Sequence, residues 1–180
     1  MQALQKSMVT GNPGKIILDF TIPIFIGNVF QQFYNMADTV IVGKFVGTGA
    51  LAAVGSTGTV MFLILGFVLG MTAGFTVLTA QKFGAGDMDA MRQTVGNAAV
   101  LSIIMSVVLT AASMAFMKPL LEFMHTPKDI FADAYAYIMV ICAGICAQML
   151  YNLQASVLRA IGNSKVPLYF LVLSALLNIA

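Results

Sequence analysis

The chain has 180 residues, 59% of them hydrophobic and 9% charged, against roughly 45–50% and 25% in soluble domains. That balance excludes an ordinary water-soluble core and points to lipid as the solvent for most side chains. A net charge of +2 is far too small for a nucleic-acid-binding surface, and two cysteines, Cys142 and Cys146, make no disulfide framework.

A membrane-crossing helix needs about 20 mostly apolar residues. Residues 16–43, 51–80, 95–117 and 130–158 meet that requirement, and a fifth run, 166–180, is still apolar at Ala180. At about 22 Å the fifth run falls short of the ~30 Å hydrocarbon core. We therefore expect an all-α, polytopic transmembrane helix bundle that is part of a larger membrane protein. The first run is longer than a signal-peptide apolar region and is expected to remain in the mature chain.

The first run carries Asp38. An ionised side chain in hydrocarbon costs at least ~2.5–3.5 kcal/mol on insertion scales, so it is expected to face a protein interior or an aqueous cavity. With Asn28 at zero on a helical wheel, Gln31, Gln32, Asn35, Asp38 and Thr39 fall within an arc of about 120°, with Tyr34 at its edge and Asp19 opposite. One side of this helix is expected to line something polar. Pro23 removes the hydrogen bond to the carbonyl of Asp19, which predicts a bend there. The bland alternative for Asp38, an interfacial pair with Lys44, is disfavoured because the two differ by about 120° around the helix.

The second run holds Gly66, Gly70 and Gly74, a small-residue face expected to pack against another helix. The 84–89 loop that follows, Gly-Ala-Gly-Asp-Met-Asp, suits a turn and a helix cap. The third run ends before a loop, 118–129, that holds His125, the only histidine. The fourth contains the two cysteines, read as buried thiols, and the amides Gln148 and Asn152, read as a polar cavity wall. In the fifth, Asn178 lies close to the depth of Asp38 on a helix running the same way, where it can donate to the carboxylate or help hold a cation. Lysines and arginines favour the side of the N-terminus, six against three, which predicts a cytoplasmic N-terminus.

Other chemistry is not supported. The 47–52 stretch, Gly-Thr-Gly-Ala-Leu-Ala, superficially matches a dinucleotide-binding pattern, but no strand precedes it. No nucleophile–base or metal constellation is present, so no enzyme and no cofactor are expected.

Several stretches together resemble the opening of a MATE (multidrug and toxic compound extrusion) transporter. They are Pro23 with Gln31, Tyr34-Asn35-Met36-Ala37-Asp38-Thr39, Val42-Gly43, Gly49 to Gly55, Gln81 to Asp87, Leu158 to Lys165 and Leu176-Leu177-Asn178. The resemblance covers nearly the whole chain. It implies four and a half helices of a six-helix N-terminal lobe, in a twelve-helix protein whose C-terminal half is absent here. It further implies a multi-pass protein of the cell membrane that exchanges H⁺ or Na⁺ for amphipathic, often cationic small molecules by alternating access.

By the same resemblance, Asp38 is the proton or cation site, with Tyr34 and Asn178 beside it and Na⁺ at Asp38 and Asn178 as one option. Gln31 and Asn35 line the cavity, and Pro23 is the bend. Asn163 stands where related proteins often have Asp, and the chain ends two residues short of a second acid found in many of them. A lipid-linked precursor flippase on the same scaffold and an ion channel remain as alternative readings.

Overall fold

In the computed structural model, residues 11–179 are described, with side chains through Leu177. Helix α1 spans Pro13–Ile41 and runs into a π-helical turn, Val42–Val46; α2 is Thr48–Gly84, α3 Met88–Phe123, α4 Phe131–Ala143, α5 Ile145–Ala160 and α6 Lys165–Ile179. The described residues contain no strand. Helices α1 to α3 are each long and apolar enough to cross a membrane, and α4 with α5 forms a fourth candidate, bent by 45°.

Many large apolar side chains lie on the outside, and several small hydroxyls lie inside. Phe45, Phe62 and Phe123 are 83%, 77% and 80% exposed, while Thr57, Thr79 and Ser102 are fully buried. Lipid tails are as apolar as leucine, so these helices gain little by hiding large apolar side chains and associate through close packing and hydrogen bonds instead.

The helix ends follow from local chemistry, and they extend beyond the apolar runs because the caps sit in the polar flanks. Asn12 caps α1 through its Oδ1, which accepts the N–H of Gly14 at 3.0 Å, with Pro13 in the first helical position that proline favours. Gly47, at φ 118°, is the one residue between the π-turn and α2, a backbone region open essentially to glycine alone. The dinucleotide-like stretch is therefore this linker and the start of α2.

The α2–α3 and α5–α6 connections are built alike. Gly86 and Gly162 take positive φ, and the residues after them, Asp87 and Asn163, donate their N–H to Lys82 and Leu158 five residues back. That bond closes a Schellman motif. Each polar residue then caps the next helix: Asp87 Oδ1 accepts the N–H of Ala90 at 3.0 Å, and Asn163 Oδ1 accepts that of Val166 at 3.2 Å.

The third connection uses the same stop signal with a different residue. Helix α3 runs through Pro119 to Phe123, past the expected end at 117. His125 occupies the left-handed position at φ 54°, with Thr126 N–H bonded to Leu121 O at 3.2 Å.

The described residues form two compact units. One comprises Thr39–Thr72 and Ala99–Asn152; its core is Val60, Met117, Leu121, Ile138, Cys142 and Ile145. In this unit the fourth predicted span breaks at Gly144. Helix α3 grips both flanks of the break: Thr110 Oγ1 donates to Cys142 O at 3.4 Å, and Ser106 Oγ lies 3.5 Å from Cys146 Sγ. Neighbouring hydroxyls of this kind let a membrane helix tolerate a break by satisfying polar groups around it. Both cysteines are free; Cys142 is buried, but Cys146 is exposed, contrary to the expectation for the pair.

The other unit holds α1 up to Asp38, Ala73–Ala98 and the chain from Leu153 onward. Among the described residues, nothing packs on the glycine face of α2. Gly66, Gly70 and Gly74 face open space, with nothing within 4 Å of a built Cβ. The buried side of α2 is instead Ala53, Thr57, Val60, Val68, Thr72 and Thr79, roughly opposite on the wheel.

Candidate functional site

Helix α1 presents two faces rather than one polar stripe. Pro23 and Gly27 are buried, and Gln31, Tyr34 and Asp38 are half-buried. These five share an arc of roughly 80°. Asn28, Gln32, Asn35 and Thr39 are exposed and occupy the adjacent arc. The boundary between the two faces falls between Gln31 and Asn35, inside the stripe the sequence predicts.

Helix α6 covers the inner face. A Cβ built on Gly27 would meet Leu171 Cδ2 at 3.5 Å and Leu168 Cδ1 at 3.6 Å. Glycine here lets the two helices approach, a role the sequence reading missed although Gly27 stands one turn after Pro23. Leu168, Leu171 and the buried Ala175 follow one another at helical spacing, and Asn178 continues that row by register. Asn178 sits in the last turn of α6; its side chain lies outside the described residues. Helix α1 passes through Pro23 as one continuous helix.

The Asp38 carboxylate makes no hydrogen bond or ion pair among the described residues, and it stands on the face directed at α6. Its neighbours by register are Tyr34, one turn before it, and Gln31, one turn before that. An acid with one flank against protein and the other accessible is able to bind and release a small cation.

On the exposed face the amides bond to one another. Gln31 Nε2 donates to Asn35 Oδ1 at 3.4 Å, and Asn35 Nδ2 donates to Gln32 Oε1 at 3.4 Å. Beside them a groove of about 370 Å³ is lined by Asn28, Val29, Gln32, Phe33 and Met36. Its walls are almost wholly apolar, and no ionisable group lines it.

The amides of α5 part company. Gln148 is exposed, as a cavity-wall residue requires. Asn152 is buried, and its Nδ2 donates to Gln148 O at 2.8 Å, so one N–H of its amide is bonded to the backbone. The two stand one turn apart along the helix and only about 40° apart on the wheel, and composition alone gave no sign of the difference in burial. His125 lies in the α3–α4 connection, exposed, and its part there is conformational.

Known proteins resemble this chain in sequence and in fold. The MatE family model matches residues 23–180. The probable multidrug resistance protein YpnP of Bacillus subtilis is 32% identical over 93% of this chain and 38% of its own length; YoeA of the same organism, also a probable multidrug resistance protein, is 29% identical over 89% and 35%. A solved structure of a MOP superfamily transporter from Pyrococcus furiosus, described as having a binding pocket of reversed polarity, superposes with a TM-score of 0.89 at 29% identity, covering 99% of this chain and 38% of that one. The chain thus spans little more than a third of the length of the relatives it matches.

Proposed function

The chain belongs to the MatE family, and on that premise we propose that it forms the N-terminal lobe of a cation-coupled antiporter, with Asp38 as the proton- or cation-binding group. The complete protein exports amphipathic, often cationic compounds by alternating access, driven by H⁺ or Na⁺ moving the other way. It sits in the cell membrane with the N-terminus cytoplasmic, and a C-terminal half completes the cavity.

The observation that carries this reading is the half-buried position of Asp38 on the α1 face that packs against α6. A carboxylate directed wholly at lipid would serve no exchange, and one in bulk water would feel no difference between conformations. Tyr34 stands next to it on the same face, and the register of α6 supports Asn178 as a further ligand. Cation binding neutralises the carboxylate and changes which hydrogen bonds it favours. For coupling, the two charge states must prefer different helix arrangements by a real differential free energy. Pro23, buried on the same face, is the point where α1 has a hydrogen bond fewer to lose on bending. Gln31, Asn35 and Gln148 serve the cargo side.

The test is drug efflux by the complete transporter reconstituted in liposomes. Asp38→Asn is expected to abolish efflux driven by an imposed pH or Na⁺ gradient while leaving insertion and folding intact. Efflux at the normal rate from that variant would remove Asp38 from the role.

A further inference from the structure

We propose that the Gly144 break between α4 and α5 is a hinge of the transport cycle, held bent by the hydroxyls of α3 and able to straighten into one continuous helix. The inference rests on the export reading above for its purpose, and not on the part given there to Asp38.

Nothing in the sequence of this span forbids a continuous helix. Residues 131–160 contain no proline, and Gly144 keeps right-handed backbone angles, φ −80° and ψ −7°. Sharp bends arise at proline, at glycine or serine pairs, at π-bulges, or where a side chain enters the hydrogen-bond ladder. The last is the case here. In a continuous helix Cys142 O would accept the N–H of Cys146, four residues on. Here the Thr110 hydroxyl donates to it at 3.4 Å. Gly144 N–H serves Val140 O and Ile141 O, at 3.2 and 3.0 Å. Ile145, Cys146 and Ala147 are the first turn of α5, so their N–H groups have no acceptor within their own helix.

Helix α3 holds the other flank through Ser106. Its single O–H donates to Ile103 O at 2.9 Å, which leaves Oγ as the acceptor for the Cys146 thiol, 3.5 Å away. One hydroxyl thus grips each side of the break. Straightening exchanges these partners for main-chain ones, with Thr110 released from Cys142 O as Cys146 N–H replaces it.

Ser102 sets the balance between the two forms. It continues the row of Ser106 and Thr110 by one turn, the three lying within an arc of about 80°. It is fully buried, and its Oγ has no partner among the described residues. An unpaired buried hydroxyl is a cost, carried by the bent form and relieved when α5 moves against α3. Gln148, the exposed amide on the cargo side, stands one turn past the break, so a change in the 45° bend re-aims it.

The experiment is hydrogen–deuterium exchange of the complete transporter in detergent, read by mass spectrometry on peptides covering 145–147, beside gradient-driven ethidium transport in liposomes. Thr110→Val removes one hydrogen bond and Gly144→Ala favours a helix interior, and each is expected to shift the two forms about fivefold toward the straight one. Both are read as slower exchange at 145–147 and slower transport. Thr110→Ser, which keeps the hydroxyl, is expected to behave as the unmodified protein. Ser102→Ala, added to Thr110→Val, is expected to restore both readouts in part. A clamp that only holds the fold would lose stability in Thr110→Val without slowing exchange. Exchange no slower in Gly144→Ala, which leaves the α3 row whole and serves if Thr110→Val is unstable, would overturn the hinge. Slower exchange with transport unchanged would overturn its place in the cycle. The exchange measurement needs no ion gradient, so its outcome is separate from that of Asp38→Asn.

Discussion

The Cα of Gly27 lies so near α6 that a Cβ there would meet Leu171 Cδ2 at 3.5 Å. That distance is ordinary van der Waals contact, so a methyl group fits and anything larger does not. Gly27→Ala is expected to be neutral or slightly stabilising, because it also reduces the freedom of the unfolded chain. Gly27→Leu is expected to cost about 1–3 kcal/mol by forcing the helices apart. Thermal unfolding of the complete transporter in detergent checks both, and equal melting temperatures for the two variants would refute the close approach.

Asn163 closes the α5–α6 connection, and its geometry gives it a part of its own. Its Oδ1 caps α6 at the N–H of Val166. Asn163→Ala is expected to destabilise by about 1 kcal/mol. Asn163→Asp is expected to be equal or better by about 0.3–1 kcal/mol, since a negative charge suits a helix N-terminus. Chemical unfolding of the two variants distinguishes a cap from a residue with no structural part.

How much of this was legible beforehand depends on which force fixed each feature. That the chain is a succession of long apolar helices followed from apolar run length, because lipid demands about 20 apolar residues per crossing. The 84–89 loop was legible through Gly86 and Asp87, whose turn and cap chemistry is local. Gly144 was not, because a single glycine in an apolar run reads as a packing residue until the hydroxyls of Ser106 and Thr110 are seen around the break. Nor was the split of the α1 stripe: Gln31 and Asn35 are only about 40° apart on the wheel, and the packing of α6 on Gly27, a long-range contact, decides which turns inward. The glycines of α2 show the same limit, since spacing reveals a face but not its neighbour.

His125 ends α3 with a left-handed backbone that costs an L-residue roughly 1–2 kcal/mol. Glycine adopts it freely. His125→Gly is expected to raise stability by about 0.5–1 kcal/mol, read as a higher melting temperature. A lower one would mean that the imidazole makes a contribution of its own.

Cys142 and Cys146 lie one turn apart on opposite sides of the Gly144 break, the first buried and the second exposed. A small maleimide added to the folded protein is expected to modify Cys146 much faster than Cys142, as mass spectrometry of the peptides would show. Equal rates would mean that the break and its α3 clamp open readily.

The account turns on ion and cargo being bound in opposition through Asp38, and linkage makes that directly measurable, since each ligand must change the affinity of the other by the same factor. The measurement is cation release when ethidium is added to the complete transporter in weakly buffered solution, followed with a pH indicator and, separately, with radioactive sodium. Cargo is expected to expel a proton or a sodium ion from the unmodified protein and nothing from Asp38→Asn. The same release from both proteins, or none from either while ethidium binds, would contradict it.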